Sequence, residues 1–492
     1  MYSVSNNYKT QINKPCRNVS HLRINIYAGY KTAEQASIFS IDTSLDTNAV
    51  DIVEGTWTRE YDPLNTKLPT ETFSFKFIDS NKLYSPDDAS GQWAELEKQL
   101  PVKFEFGYTL GDGSVEWHDG SVYITTGQNR FETNGIISLI TIEAKSVINY
   151  LSGAGIKQAY LKSDYYNLIN NVLGKCTLKA ISNGWFSWSI DNSLKNFSVI
   201  KPIDAELPIN QCLQLISQAS CCDLFTDRSG NVKIIPHKTT AENYNIDFSC
   251  FLEIPECYKY PALSELNISY STGNEDEGTS NWAGKIEEGE AYEWSESTLP
   301  ITDSGYISRV TEFTGFYRRL KNGGNTSYDK DNVRKYAPSC ASADTNGYVY
   351  GITALNEGID AGRQTITVEI RRPEYIRVSF EIEYATLSAI ASTEQQIYNI
   401  NTYGEPCTID NAVISDIDSA NRVKNECEKF LGMRNRYQDV PYRGNPEIDV
   451  GDIIKVQTLY SASENALVYK NEIVYNGALS GTLGFYTGGS SQ

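Results

Sequence analysis

A mainly β fold with α+β parts is predicted by three observations. Strict period-two alternation of large apolar residues recurs near both ends of the chain. Gly- and Asn-rich turn signals separate those runs. Helical stripes are confined to a few short segments between them.

Taken in order, residues 1–20 are polar and carry Pro15, which reads as an extended arm rather than a packed element. From Leu22 the alternation begins: Leu22, Ile24 and Ile26 share one face. Phe73, Phe75 and Phe77 do the same, as do Val102, Phe104 and Phe106 after Pro101. Val122-Tyr-Ile124 and Ile136 to Ile142 follow. The turn signals are Gly111-Asp-Gly-Ser114 and Asn134-Gly135; Asn-Gly suits a type I′ hairpin, whose central residues need positive φ. Residues 21–150 therefore read as about six strands, with a short helix over Gln92 to Gln99.

Residues 161–174 carry Leu161, Tyr165, Leu168, Ile169 and Val172 on one side, with Gly174 as a stop. A second helix runs from Pro208 to about Ser220, striped by Ile209, Leu213, Ile216 and Ala219. It feeds a hairpin: Asp223-Leu-Phe-Thr226, a turn at Asp227 to Asn231, then Val232-Lys-Ile-Ile-Pro236. In residues 273–345 apolar periodicity fades among acidic and Gly-rich runs, which predicts a solvated, partly flexible insertion. Strands return at 365–370 and 376–382. A third helix spans about Ser419 to Leu431, capped by Asp416 or Asp418 and ended by Gly432. The last strands are Asp452 to Val456, Leu467 to Tyr469 and Glu472 to Tyr475.

The expected organisation is an N-terminal arm (1–20), a first β-domain (21–152), an α+β domain (153–262), a second β-domain (263–484) holding the insertion, and a flexible tail (485–492). At 492 residues the chain suits about three or four domains. The two β-regions share a local grammar. Val122-Tyr123 precedes Asn134-Gly-Ile-Ile-Ser138, and Val468-Tyr469 precedes Asn476-Gly-Ala-Leu-Ser480. Upstream, Val102 to Phe106 corresponds to Ile453 to Gln457. Duplication explains this echo, and so do two independent hairpins.

Lys and Arg number 43 against 62 Asp and Glu, a net charge of −19, which argues against tight nucleic-acid binding. No run reaches the roughly 20 apolar residues of a membrane span, and the N-terminus lacks a secretory h-region. Ten Cys with no C-x-x-C pair read as reduced thiols of a protein made in a cytoplasm. Three His (His21, His118, His237) make a multi-His metal site and a metal cofactor unexpected.

The acidic run at Glu287-Glu288 reads as a solvated face. His118 beside Asp119 reads as a surface hairpin residue, because strand neighbours point to opposite faces. Cys221 and His237 approach across a hairpin, but no Asn or Asp that would orient the His is evident, so a buried structural thiol is expected. Asp329-Lys-Asp-Asn332 starts like a calcium loop but lacks its later Gly and Glu. Trp185-Phe-Ser-Trp188 and Trp282 fit either packing or a sugar-stacking platform, and packing is the commoner use. Arg318-Arg319 and Arg371-Arg372 read as surface ion pairs. No catalytic residue and no cofactor is expected.

Three stretches resemble the central hub proteins of phage tails and related tail-like particles, which in phages of Gram-positive hosts form the N-terminal part of tail-associated lysins. They are Thr58-Arg-Glu-Tyr-Asp-Pro-Leu64 with Leu68-Pro-Thr-Glu-Thr-Phe-Ser-Phe75; the helix-then-hairpin Ile216 to Ile234; and Tyr442-Arg-Gly-Asn-Pro-Glu-Ile-Asp-Val-Gly-Asp452 with Val474-Tyr-Asn-Gly-Ala-Leu-Ser-Gly-Thr-Leu483. The insertion 273–345 has no counterpart in the resemblance.

The resemblance implies two tail-tube-like β-barrel domains with intervening helix-hairpin hub domains. It implies a homotrimer whose six barrels make a pseudo-sixfold ring at the baseplate hub. That ring would meet a distal tail or tail tube protein above and a spike, fibre or tip protein below, with the tape measure protein in its lumen. The chain would be a structural component of the virion tail tip, assembled in the host bacterial cytoplasm and serving genome ejection. Lysins of this family carry their hydrolase downstream, and the chain is expected to lack room for one. A host-surface carbohydrate-binding baseplate or adhesin protein is the alternative. Tyr442, Arg443, Gly444, Asn445 and Pro446 are the interface candidates, because an irregular Gly-Asn-Pro turn there must be held by neighbours.

Overall fold

The computed structural model describes the chain apart from residues 1, 15–18, 31–35, 46–49, 85, 87–91, 134–136, 152–162, 175, 177, 200–206, 243, 287–339, 344–348, 355–363, 373–374, 403, 412, 415–416, 459–460 and 489–492; for 271–394 it describes backbone alone. The hairpin signal at Asn134-Gly135, Leu161, Glu287-Glu288, Arg318-Arg319 and Asp329 to Asn332 lie outside the described residues, as do the side chains of Trp282 and Arg371-Arg372.

Among the described residues, alternating apolar residues build the first β-region as eight strands where about six were expected. These are β1 (Ser20–Tyr27), β2 (Ser37–Asp42), β3 (Asp51–Glu60), β4 (Thr70–Ile78), β5 (Pro101–Thr109), β6 (Val115–Thr125), β7 (Arg130–Thr133) and β8 (Ser138–Lys145). The sequence reading names no run for β2, β3 or β7: β2 and β7 are short, and β3 alternates only from Gly55 onward. Phe73, Phe75 and Phe77 are fully buried with Leu22, Ile24, Phe104 and Phe106 in one core. The Phe73 and Phe104 rings stack at 3.8 Å. Phe39 on β2 meets Phe75 and Phe77 on β4 at 5.5 and 5.1 Å, so the run of strands from β4 to β2 curls until its ends face each other across the core.

The N-terminal segment is not an extended arm. Residues Asn6–Ile12 form helix α1, capped by Ser5, whose hydroxyl accepts the Tyr8 N–H at 3.0 Å. Tyr8 and Ile12, one turn apart, bury against Tyr108. Two apolar residues at i and i+4 are too few for a stripe to stand out in the sequence. Helix α2 (Trp93–Leu96) falls within the stretch predicted, and α3 (Val147–Tyr150) follows β8.

The middle region holds β9 (Ser163–Asp164), α4 (Tyr165–Gly174), α5 (Lys179–Ser182), β10 (Trp188–Ile190), β11 (Ser198–Val199), α6 (Ile209–Ser220), β12 (Cys222–Thr226) and β13 (Val232–Pro236). The faces of α4 and α6 that carry Leu168, Ile169, Leu213 and Ile216 share a core with β12, β13 and the late helix α7 (Ile417–Gly432). Cys221 turns the chain from α6 into β12 with φ +56°, a left-handed cap that glycine usually fills. Short strands β14 (Asn245–Ile246) and β15 (Cys257–Lys259) follow.

Residues Gly273–Ala391 are a compact unit of their own. They take in strands that the sequence reading placed after the insertion. Within this unit β17 (Cys340–Ala343), β18 (Val349–Ala354), β19 (Gln364–Arg372) and the first part of β20 (Tyr375–Asn399) pair antiparallel in that order. In the other unit the first part of β16 (Leu263–Ile286) pairs in parallel with β21 (Glu405–Asp410), Ser269 opposite Asp410.

The last strands are β22 (Asn435–Tyr442), β23 (Ile453–Val456), β24 (Glu464–Tyr475) and β25 (Leu479–Thr487). Leu467 to Tyr469 and Glu472 to Tyr475 are one strand with a register shift between Val468 and Lys470, not two. β25 reaches Thr487 and buries Phe485, within the segment expected as a tail.

Both β-regions lie in one sheet of 14 strands, and their parts recur in the same order. The first gives β4-β8-β6-β5; the second gives β22-β25-β24-β23. In chain order each is first-fourth-third-second, leaving out β7. The two runs meet inside the chain where the second half of β24 pairs with β3, from Lys470 opposite Glu60 to Tyr475 opposite Gly55.

Candidate functional site

Where β3, the β12–β13 hairpin and the loop after β22 converge, charge is buried. Arg59 faces inward on β3, two residues from the buried Trp57. Its guanidinium donates to Glu71 of β4 at 3.2 Å, to the Thr226 carbonyl at 2.9 Å and to Asp449 at 2.7 Å. Glu71 in turn accepts from the Thr226 backbone N–H at 3.1 Å and from its hydroxyl at 2.5 Å. Arg228, in the β12–β13 turn, donates to Asp449 at 2.7 Å and to the Asp119 carbonyl at 2.7 Å. Its cation lies 4.4 Å from the Tyr2 ring centre and 5.1 Å from that of Trp57.

Two cations and two carboxylates thus neutralise one another, with Arg59 and Glu71 shut off from water and Asp449 22% exposed. Burial alone would raise the Asp449 pKa, but Arg228 and Arg59 hold it below the usual carboxylate range. Burial opposes the charge on Arg59, and Asp449 with Glu71 more than offsets this, raising its pKa. Such a cluster gives little net stability when complete, yet losing one partner strands the others. Its four members come from the first β-region (Arg59, Glu71), the hairpin (Arg228) and the second β-region (Asp449), so it fixes these parts relative to one another.

The segment 442–452 closes the cluster from the C-terminal side. Tyr442 donates its hydroxyl hydrogen to Asn471 at 2.6 Å, and the Asn471 amide reaches the Ile448 carbonyl at 2.8 Å. Asn445 accepts from the Tyr8 hydroxyl at 3.1 Å and donates to the Tyr244 hydroxyl at 2.7 Å. Gly444 has φ +63°, and a Cβ there would stand 2.6 Å from the Ser480 carbonyl oxygen. Of the five interface candidates, Tyr442, Gly444, Asn445 and Pro446 are buried within the chain. Arg443 is half-buried, and its guanidinium donates to the Lys14 carbonyl at 3.1 Å. The neighbours holding this turn include α1, β24 and β25 of the same chain.

His118 is not on the surface: it is 2% exposed, under Tyr8 and Tyr2 at ring distances of 4.2 and 5.9 Å. Burial pulls its pKa down to about 4. The covering residues belong to the N-terminal segment, over 100 positions away, so the strand pattern gave no warning.

The grouping around Cys221 contains the orienting residue that sequence reading did not find. Asp223 stands 2.8 Å from Nδ1 of His237, both out of solvent. Cys221, His237, Glu426 and Cys427 line a cavity of only about 10 Å³, which holds one water at most. Burial pushes the Cys221 and Cys222 thiols up to about 12. A nucleophilic cysteine needs a depressed pKa and room for substrate, and this grouping supplies neither.

Phe186 is buried; Trp188 donates its indole N–H to Asn170 at 2.8 Å, and Trp185 packs 5.0 Å from Tyr27, so these aromatics serve packing. A larger cavity, about 270 Å³, is lined by Tyr260, Phe430, Arg434, Arg436 and Tyr486 among others. Among the described residues no three His, Cys, Asp or Glu side chains are grouped to hold a metal. Among them no helix is long and apolar enough to cross a membrane.

The signal for Arg59 and Glu71 was present in the sequence. Both occupy inward positions of alternating strands, Arg59 in phase with Trp57 and Glu71 in phase with Phe73 and Phe75.

No protein-family model and no curated protein matches the chain. Among solved structures it is similar to the 43 kDa tail protein of prophage MuSo2 from Shewanella oneidensis, at 7% identity and TM-score 0.46, covering 94% of this chain and 98% of that one. It is similar to the tail protein from Neisseria meningitidis MC58, at 7% identity and TM-score 0.46, over 94% and 96% of the two chains. It is also similar to prophage tail protein gp18 from Listeria monocytogenes EGD-e, at 9% identity and TM-score 0.42, over 94% of each.

Proposed function

We propose that the chain is a structural, non-enzymatic hub at the distal end of a phage tail or phage-derived injection particle. Three copies form a pseudo-sixfold ring that joins a sixfold tail tube to a threefold tip. The ring lines the channel through which genome or tape measure protein leaves. The observation that carries this reading is the recurrence of one strand order twice in a single sheet, β4-β8-β6-β5 and β22-β25-β24-β23. Two equivalent units per chain give six around a threefold axis. The largely buried Arg59–Glu71–Arg228–Asp449 cluster suits a part that bears load rather than one that turns over substrate. A net charge of −19 suits a bore through which a duplex passes without adhering. A tube protein above, a spike or fibre below and a position in the virion tail tip after assembly in the host cytoplasm complete the proposal.

Light scattering of the purified chain is the direct test. A mass of three chains is expected, and a monomer at every concentration overturns the ring. Zymography on host cell wall is expected to show no clearing; a clearing band overturns the non-enzymatic reading.

The aromatic- and arginine-lined cavity of about 270 Å³ favours a second reading, a host-surface carbohydrate-binding role. Saturable binding of wall polysaccharide that is lost in Tyr260→Ala would support it.

A further inference from the structure

We infer that the 14-stranded sheet continues from one copy of this chain to the next by pairing of β7 with β15. The inference rests on the ring reading above and names the strands that would make its junctions.

The argument starts from the junction already inside the chain. β3 lies beside β4, and β24 lies on its other side. In the second run β22 holds the place of β4, because both lie beside the final strand of their run, β25 or β8. β15 pairs antiparallel with β22 as β3 does with β4. The likeness extends along the strand: Cys257 lies opposite Tyr437, as Trp57 lies opposite Phe73, and an isolated bridge joins Phe251 to Tyr442 farther along. β15 is therefore the second counterpart of β3. Yet among the described residues it pairs on one side only.

The strand that flanks β3 also has a counterpart. The second half of β24 forms a hairpin with β25, Tyr475 opposite Leu479. β7 forms the matching hairpin with β8, Thr133 opposite Ser138. Phe131 then corresponds to Ile473, and both pack on the first core. Among the described residues β7 pairs with β8 alone. Each chain thus carries one completed junction, β24 with β3, and the two unjoined halves of another.

The register follows from the internal junction. Trp57 stands opposite Ile473 and Thr58 opposite Glu472. Between copies this places Cys257 opposite Phe131 and Tyr258 opposite Arg130. Glu256 then faces Glu132, whose charge Arg130 already meets at 2.7 Å. The surface around β15 fits a covered edge. Leu252, Ile254, Tyr258 and Tyr260 are 57, 79, 52 and 45% exposed, a concentration of apolar side chains that a solitary surface seldom carries. Pro255 has no N–H to give, which confines the ladder to the residues after it.

Cross-linking of the full-length chain tests the pairing. Phe131→Cys would bring a thiol within disulfide reach of the native Cys257 of a neighbouring copy. Diamide takes up the two hydrogens as the S–S bond forms. Covalent species of two and three chains are expected on non-reducing gels, and adding Cys257→Ser should cut them at least tenfold. Arg130→Cys with Tyr258→Cys, both at exposed positions, should link in the same way and guards against a misfolded Phe131 variant. A trimer in solution that links in neither pair above the Cys257→Ser control overturns the β7–β15 pairing and leaves the ring standing. A chain that stays monomeric and unlinked overturns the ring, and the pairing with it.

Discussion

Arg59 and Glu71 stand directly opposite each other on neighbouring strands, with charged ends 3.2 Å apart and both side chains shut off from water. Ion pairs of this kind are costly to assemble and more costly to break from one side. Glu71→Ala should therefore lower the unfolding free energy by about 3–5 kcal/mol, because it leaves Arg59 and the Thr226 N–H short of an acceptor. Urea denaturation of the variant beside the parent chain measures this. A loss under about 1 kcal/mol would show that the cluster is not buried as described.

His118 gives a pH dependence of known sign. Its folded pKa is depressed to about 4 from 6.5, so the folded state favours the neutral ring. Its contribution is complete above pH 6.5 and is lost as pH falls towards 4. The depression corresponds to roughly 3 kcal/mol over that window. His118→Leu should flatten this part of the stability curve. Denaturation midpoints at pH 7 and pH 4.5 give the difference; equal slopes in parent and variant would refute it.

Gly444 holds a left-handed backbone against the Ser480 carbonyl. Gly444→Ala should cost about 1–3 kcal/mol from backbone strain, with the clash adding to it. The melting temperature should fall by several degrees. Gly113→Ala is the control: its φ is also positive, +85°, but nothing lies within 4 Å of its Cβ position, so it should cost less.

Thiol accessibility separates the cysteines. Cys257 is exposed, whereas Cys212, Cys221 and Cys222 have pKa values pushed up to about 12 by burial. Iodoacetamide at pH 8 should alkylate Cys257 at least tenfold faster than these three, as read by peptide mass spectrometry. Comparable rates would mean that the α6–β12 corner opens readily.

Local periodicity carried much of the fold. Phe73, Phe75 and Phe77, the stripe of α6 and the stripe of α7 all follow from spacing that packing then uses. What stayed hidden depended on distant partners. The bulge at Val468 lets one strand serve two neighbours, and alternation alone read it as two strands. Tyr8 and Tyr2 cover His118 only because the N-terminal segment folds back. Asp223 sits two residues from Cys221, but its pairing with His237 needs the β12–β13 register, in which Cys222 lies opposite Pro236. Arg59 and Glu71 were visible as inward charges and needed only to be taken in phase with their apolar neighbours.

β24 is zipped to β23 along its first residues and to β3 along its last. Neither half of the molecule is able to melt and leave the other with an intact hydrogen-bond ladder. Residues 1–272 and 392–492 should therefore lose their heat-absorbing structure in one cooperative step. Force applied at either face of such a part would be shared by both halves instead of peeling one away.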